Sequence, residues 1–311
     1  MKTVRRLLLT GALIVLTGCA GSPAPQHAEL DESRVDTASE RELTHVPFHP
    51  QDAYQCGPAA LATVMNVAGV DVDADTLKPQ VYLPDRRGTL QPELVAATRR
   101  YGLLGHAGEH SFADLLQEVD AGNPVLVLQN LGLNRFPIWH YAVVIGFDRD
   151  AETVILRSGT TEREVLSFDR FEDTWRRGDY WAMTVHAPGE RPATADEASY
   201  LRAASALEAR KPDAARDAYA AAAEHWPASP VPHVGLGNIA YGAERFDAAA
   251  AHYRDAIDRA PDAPAPHHNL AWSLLRLEQH EEALHHARRA AALADTGQSQ
   301  YFGALEALVG R

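Results

Sequence analysis

The chain has few cysteines and no excess of positive charge, and both absences exclude whole classes of protein. Of its 311 residues only Cys19 and Cys56 are cysteines, so neither a disulfide framework nor a multi-cysteine zinc site can form. Lysine and arginine number 29 against 42 acidic residues, a net charge of −13, which disfavours nucleic acid as a partner. The length predicts two domains, and 46% hydrophobic residues argue against wholesale disorder.

The first 18 residues have the pattern of an export signal. Basic residues at 2, 5 and 6 precede an apolar stretch over 7–16 that is too short to span a bilayer as a helix. The sequence Leu-Thr-Gly-Cys at 16–19 resembles the lipobox of bacterial lipoproteins. The resemblance implies cleavage before Cys19 and lipidation of Cys19. Ala20, where an Asp would signal inner-membrane retention, implies the periplasmic face of the outer membrane. The alternative is an ordinary secretory signal that contains a cysteine.

A tether and two folded segments are expected after the signal. Residues 19–42 are rich in Ser, Pro, Ala and acidic residues and predict a flexible tether. Residues 43–189 alternate helix-like and strand-like patterns, and residues 190–311 are alanine-rich and repetitive.

The segment 190–311 carries an internal repeat with a period of 34 residues. Small residues, an aromatic residue and a proline recur at this spacing: Ala215, Tyr219, Ala222 and Pro227, then Ala249, Tyr253, Ala256 and Pro261. Period and residue types resemble tetratricopeptide repeats, about three of them. This implies an all-α solenoid that binds an extended peptide or a partner protein, the alternative being a packing appendage without a ligand.

Eight of the fifteen histidines lie in this repeat segment, among them His280, His285 and His286. Histidine-rich tracts can bind metal. Here no carboxylates stand at obvious ligand spacing, so we expect a polar, solvent-facing surface, and neither a metal site nor a cofactor.

Cys56 is a candidate nucleophile in the segment 43–189. Pro58 is tolerated in the first turn of a helix, so a helix is predicted to begin at or just after Cys56. The partial positive charge at a helix N-terminus favours thiolate and predicts a lowered thiol pKa. His140 opens an apolar, β-branched run that predicts a buried strand, and Gln51 could donate its amide to an oxyanion. Taken singly, each of these residues has an ordinary structural reading: an inert buried cysteine, a structural histidine and a loop glutamine.

Together these pieces resemble the papain-like peptidases of family C39. The resemblance rests on Cys-Gly-Pro-Ala at 56–59, on His-Tyr-Ala-Val-Val-Ile-Gly-Phe-Asp at 140–148 and on the preceding strand near 120–127. It implies an α+β papain-like peptidase domain followed by the all-α tetratricopeptide-repeat solenoid. It also implies that Cys56 is the nucleophile, that His140 exchanges the proton, and that Gln51 with the Cys56 N–H forms the oxyanion hole.

Two positions depart from the family pattern. The family has an Asp that orients the histidine, and its counterpart here is Ser158, whose oxygen can accept an imidazole N–H without carrying charge. Asp148 and Asp150 fall in the turn after the strand and are not assigned the role. Gln51 lies five residues before the cysteine, where many members have six, so Gln55 is a second candidate for the oxyanion hole.

Further elements are predicted around these residues. The pattern indicates a helix over 91–101, a helix capped by Ser111, and strands over 125–129, 141–147, 154–157 and 181–186. Trp139 is expected to pack in the core, with shielding of the site from water as the alternative.

The sequence thus predicts a lipid-anchored envelope cysteine peptidase that cleaves a peptide amide, with a repeat domain that presents a substrate or partner protein. A catalytically degenerate binding module that acts as an envelope adaptor is the alternative. A third possibility is cleavage of isopeptide or peptidoglycan-peptide bonds.

Overall fold

The computed structural model describes residues 25–30, 36–50 and 55–294. Two residues singled out above, Cys19 and Gln51, lie outside these ranges. The described part of the chain contains no helix that is both long and apolar enough to cross a membrane.

The first part is built on an antiparallel sheet with the order β4-β9-β5-β6-β7-β8, and β1 pairs with the far end of β6. Separately, β2 and β3 pair with each other. Every residue of β5 is buried, as expected of an apolar strand in the middle of a sheet. The strands are β1 Glu40–Glu42, β2 Tyr82–Leu83, β3 Gly88–Thr89, β4 Leu104–Glu109, β5 Val125–Asn130, β6 Trp139–Asp148, β7 Thr153–Ser158, β8 Thr161–Ser167 and β9 Trp181–His186.

Helices pack on this sheet, and the first is the most buried, while the second lies against the first and the third. The first helix begins at Cys56, with Pro58 in its first turn, and residues 57–65 are all buried. Its many alanines allow close packing on β6. The helices are α1 Cys56–Val67, α2 Ala74–Val81, α3 Gln91–Arg100, α4 Phe112–Asp120 and α5 Phe168–Arg176.

The predicted helices and strands are confirmed to within two residues at their ends. Ser111 caps α4 with both bonds of a capping box, because Asp114 N–H donates to Ser111 Oγ and Ser111 N–H donates to Asp114 Oδ2. Strands β4 and β8 were not predicted. β4 contains two glycines, and β8 is a mostly exposed, charged edge strand, so neither shows a buried strand pattern.

Helical hairpins follow, as the 34-residue period predicts. In the part of the repeat region that the structure describes they are α6 Glu197–Ser205, α7 Pro212–His225, α8 Val231–Gly242, α9 Phe246–Arg259, α10 Pro264–Arg276 and α11 His280–Leu293. The repeated tyrosines pack on glycines of α8. A Cβ at Gly235 would lie 2.3 Å from the Tyr219 ring, and one at Gly237 would lie 2.4 Å from the Tyr253 ring. The small residues are therefore required by close packing.

The expectation of a solvent-facing histidine surface is only partly right. His280 and His285 are exposed. His267 and His268 are buried, each 5% exposed, because they lie on the inner face of α10. The sequence pattern missed this because alanine-rich helices give little contrast between their two faces.

A buried interface joins the two parts of the chain. Leu104 of β4 belongs to the same apolar cluster as Tyr200 and Leu201 of α6. The fully buried carboxylate of Glu118 on α4 accepts hydrogen bonds from the N–H groups of Ala193 and Thr194 in the connection to α6. The first hairpin is therefore fixed to the sheet-containing part.

Candidate active site

Cys56 is the first residue of α1 and is half-buried. Burial raises the pKa of its thiol, while the backbone N–H groups of Tyr141, Gly57 and Cys56 itself act in the opposite direction. The expectation of a lowered thiol pKa is therefore wrong in direction, because loss of solvation outweighs the field of the helix N-terminus. At neutral pH the resting residue is a thiol.

The start of β6 lies against the N-terminus of α1. The Tyr141 N–H is close enough to the Cys56 sulfur to affect its pKa, and Tyr141 follows His140 directly. The Tyr141 hydroxyl donates to the Thr89 carbonyl oxygen at 3.2 Å. Thr89 in turn packs so closely on Gly57 that a Cβ there would lie 2.5 Å from its side chain. Cys56 is thus held between β3 and β6.

His140 is half-buried near the start of β6, and its Nε2 lies 3.0 Å from Ser158 Oγ, within hydrogen-bond distance. Val143 on β6 pairs with Arg157 on the antiparallel strand β7. Ser158, the next residue of β7, therefore lies diagonally across from His140, which is close enough for the two side chains to touch. Burial lowers the pKa of His140, and the negative charge of Glu164 raises it. The resting imidazole is therefore neutral at pH 7.

Ser158 at the end of β7 is 9% exposed, so this contact is largely shielded from water. With Nε2 directed at the serine, Nδ1 is the ring nitrogen that is left for a second partner. Three sequence-predicted positions, Cys56, His140 and Ser158, thus lie on elements that meet at one end of the sheet.

The two aspartates that were not assigned a role lie elsewhere. Asp148 ends β6, pairs with Thr153 and accepts the Ala151 N–H. At about 3.4 Å per residue, eight residues of strand put it roughly 27 Å from His140. Asp150 follows in the turn.

The segment that leads to Gln51 is held at two points, Val46 and His49. The Arg157 guanidinium donates to the carbonyl oxygens of Val46 and Glu162, and His49 Nε2 lies 2.7 Å from Asn66 Oδ1. Arg157, although it stands next to Ser158, therefore fixes backbone rather than taking part in the site. The side chain of Gln55 makes no capping hydrogen bond to α1 and is half-buried beside Cys56.

An exposed apolar hairpin tip precedes His140. Between β5 and β6, the side chains of Leu131, Leu133, Phe136, Ile138 and Trp139 are each at least 50% exposed. Trp139 is 53% exposed, so its expected place in the core is wrong: β6 has only just entered the sheet at this residue.

Hydrogen bonds to the backbone N–H groups of the tip hold it in one conformation. The buried Asn130 side chain accepts the N–H groups of Gly132 and Ile138, each at 3.0 Å, and Leu131 N–H donates to the Ile138 carbonyl. A cavity of about 590 Å³ separates the tip from the end of α5. Leu133 and Trp139 line one side of it, and Arg176 and Arg177 line the other.

Sequence reasoning missed several contributors to this site. Thr89 and Gly57 position the thiol, Glu164 acts on His140, and the apolar tip stands beside them. The run of large apolar residues over 131–139, broken by Asn and Pro, was the one available signal, since such a run in a loop is unusual.

Comparisons with known proteins agree with this architecture. Residues 43–183 match the model of the Peptidase_C39 like family, and residues 200–264 and 234–298 match the tetratricopeptide repeat model. No curated protein matches the chain.

Three solved structures of low sequence identity are similar to part of the chain. One is a C39-like peptidase from Bacillus anthracis, 20% identical, with 49% of this chain and 98% of that chain covered and a TM-score of 0.40. Another is the peptidase domain of Streptococcus ComA, a bi-functional ABC transporter, 21% identical, with 46% and 98% covered and a TM-score of 0.38. A double glycine motif protease from an AMS/PCAT transporter, in complex with the leader peptide, is 18% identical, with 45% and 90% covered and a TM-score of 0.35.

The class of protein follows from these findings. Residues 43–183, which form a sheet-plus-helix domain, match the C39-like peptidase family, and a helical region of tetratricopeptide repeats follows.

Proposed function

We propose that the protein is a lipid-anchored envelope cysteine peptidase that cleaves a peptide amide through Cys56 and His140. The observation that carries the proposal is the meeting of the α1 N-terminus with the start of β6, where the Tyr141 N–H acts on the Cys56 thiol and the preceding residue, His140, contacts Ser158. The family match supports the reaction class.

The reaction begins with transfer of the thiol proton to the neutral His140 imidazole as the sulfur attacks the amide carbon. A tetrahedral intermediate forms, and its oxyanion is held by the Cys56 N–H together with the amide of Gln51 or Gln55. The imidazolium then protonates the leaving amine, and the C–N bond breaks. Water hydrolyses the thioester, with His140 as general base, and restores the thiol.

Ser158 is a positioning residue in this scheme. In the tautomer that the scheme requires, Ser158 accepts the Nε2–H of His140, which leaves Nδ1 to take the thiol proton. Because a serine oxygen carries no charge, it stabilises the imidazolium less than a carboxylate would.

The apolar tip with Trp139 is the proposed substrate-binding surface. Its side chains stand directly before His140, and its backbone is already ordered, so binding costs little conformational entropy. A peptide with large apolar residues near the cleaved bond fits this surface.

The repeat domain is proposed to present the substrate protein or a partner, and Cys19 to hold the chain by lipid at the periplasmic face of the outer membrane. Replacing Cys19 by Ser would then move the protein from the membrane to the soluble envelope fraction. Retention in the membrane fraction would contradict the anchor.

A degenerate binding module is the second candidate, favoured by the raised thiol pKa and because no carboxylate among the described residues is hydrogen-bonded to His140. Mass spectrometry of envelope peptides from cells that carry the parent protein or Cys56→Ala separates the two. New N-termini that depend on Cys56 support the peptidase, and identical peptide sets support the binding module. Products that contain an isopeptide cross-link or a peptidoglycan stem peptide would instead show that the enzyme cleaves isopeptide or peptidoglycan-peptide bonds.

A further inference from the structure

A pair of histidines recurs in the repeat region with the same 34-residue spacing as the repeat itself. His233 and His252 occupy the positions that His267 and His286 occupy in the following repeat. In each case the first histidine lies on the first helix of a hairpin and the second on the second helix. Two imidazoles therefore face each other across each of these hairpins.

The first pair has a carboxylate beside it. His233 on α8, His252 on α9 and Asp255 on α9 each offer one ligand atom, and these atoms all lie within 4.8 Å of one another. His233 Nδ1 and Asp255 Oδ2 are 3.8 Å apart, too far for a hydrogen bond. Two ligand atoms on a tetrahedral zinc ion stand about 3.4 Å apart, so small rotations of the side chains suffice to close the site.

The nitrogens of this cluster lack partners. Both ring nitrogens of His233 and Nδ1 of His252 are buried without a hydrogen-bond partner among the described residues. The His233 side chain is only 11% exposed, whereas Asp255 is 51% exposed. Buried polar atoms in folded proteins nearly always have partners, so three orphaned nitrogens in one place indicate a missing ligand.

We propose that His233, His252 and Asp255 bind a divalent transition-metal ion of the zinc type. Two imidazoles and one carboxylate suit zinc, nickel or cobalt, whereas magnesium and calcium prefer all-oxygen sites. The exposed Asp255 side leaves a fourth position open to water or to a side chain of a partner protein. Bound metal would tie α8 to α9 at one edge of the repeat surface.

Two cations lie near the cluster, Arg259 and Arg245. Arg259 donates to the carbonyl oxygens of Pro227 and Asp255, so its guanidinium is held by backbone and does not take up the Asp255 carboxylate. The carboxylate remains available to offset the charge of the ion.

The next repeat supplies an internal control. His267 Nδ1 and His286 Nδ1 lie 2.9 Å apart, and His267 Nε2 is 3.1 Å from the Pro261 carbonyl oxygen, so these imidazoles already have partners. The position equivalent to Asp255 is Arg289, which pairs with Asp262. A cation thus replaces the third ligand, and we expect no metal there.

Titration of the full chain with zinc chloride tests the proposal, with Cys19→Ser and Cys56→Ser in the background so that no thiol competes. Calorimetry should show one ion per chain, and Co²⁺ should give the visible absorption of a tetrahedral N/O site. Metal should also raise the melting temperature, since it binds only the folded state. His252→Gln should weaken binding by at least about tenfold, judged from the loss seen for outer-shell partners alone.

Asp255→Asn changes an exposed side chain, so it keeps the test valid if His252→Gln misfolds. It should also weaken binding, while His286→Gln should leave it unchanged. The proposal is overturned if the parent binds no zinc, or if His286→Gln abolishes binding and the two site variants do not.

Discussion

Ser158 Oγ lies 3.0 Å from His140 Nε2, so a neutral side chain rather than a carboxylate lies within hydrogen-bond distance of this imidazole nitrogen. Burial raises the pKa of Cys56 and lowers that of His140, so the resting pair is a thiol and a neutral imidazole. The nucleophile must then be formed by proton transfer when substrate binds.

Ser158→Asp should convert the resting pair into thiolate and imidazolium. A carboxylate within hydrogen-bond distance shifts a histidine pKa upward by roughly 1–3 units, which favours transfer of the thiol proton. We expect iodoacetamide to alkylate Cys56 at least about tenfold faster at pH 6.5, as one pKa unit corresponds to a tenfold change.

The matched control is Thr161→Asp, which adds the same charge to the residue paired with Ser158 on the exposed edge strand. It should change the alkylation rate far less. An unchanged rate in folded Ser158→Asp would show that the missing carboxylate does not set the ionisation of the thiol.

The parent protein should show the pH dependence of a buried thiol. Because burial raises the pKa of Cys56 in the folded protein, the thiol stays protonated at neutral pH. The alkylation rate should therefore rise only at pH values above the pKa of a free cysteine, which is about 8.5. Rates measured by mass spectrometry from pH 6 to 10, against a cysteine peptide, give the comparison. A plateau already reached at pH 7 would mean that the resting site holds a thiolate.

Gly57→Ala should damage the site through Thr89. The added Cβ would lie 2.5 Å from the Thr89 side chain, so either α1 or β3 must move. Overpacking of this kind costs about 1–3 kcal/mol of unfolding free energy, measurable by denaturant titration, and activity should fall with it.

Gly108→Ala is the control, because a Cβ at Gly108 meets nothing within 4 Å and should leave stability unchanged. Thr89→Gly in the Gly57→Ala background should restore part of the loss. If both alanine variants behave alike, the contact between Gly57 and Thr89 does not position Cys56.

Trp139→Ala should raise KM for an apolar peptide and leave the alkylation rate of Cys56 by iodoacetamide unchanged. Truncation of an anchor tryptophan costs about 1–2 kcal/mol of binding, roughly tenfold in kcat/KM. Val165→Ala removes an equally exposed apolar side chain on β8 and should have no effect. A parallel fall in alkylation would mean that Trp139 supports the site rather than substrate binding.

The helices and strands that can be predicted from the sequence are those with a strong local residue pattern. The start of α1 at Cys56 follows from Pro58, the strand of His140 from its β-branched run, and the repeat hairpins from the 34-residue period. The exposed strand β8 is not predictable in this way, because backbone pairing with β7 holds it rather than burial of its side chains.

Long-range packing decides the features that the sequence missed. The raised pKa of Cys56 depends on how deeply β6 and α1 bury it, and the approach of His233 to Asp255 depends on the turn between α8 and α9. A lone tryptophan is expected in the core by default, yet Trp139 is exposed because β6 only enters the sheet at this residue.

Reaction with a peptidyl electrophile, read by intact-protein mass spectrometry, tests the central claim most directly. The parent protein should gain one adduct at Cys56, and Cys56→Ala and His140→Ala should both lose it. Labelling that persists in folded His140→Ala at the parent rate would contradict a Cys56–His140 acyl-transfer site.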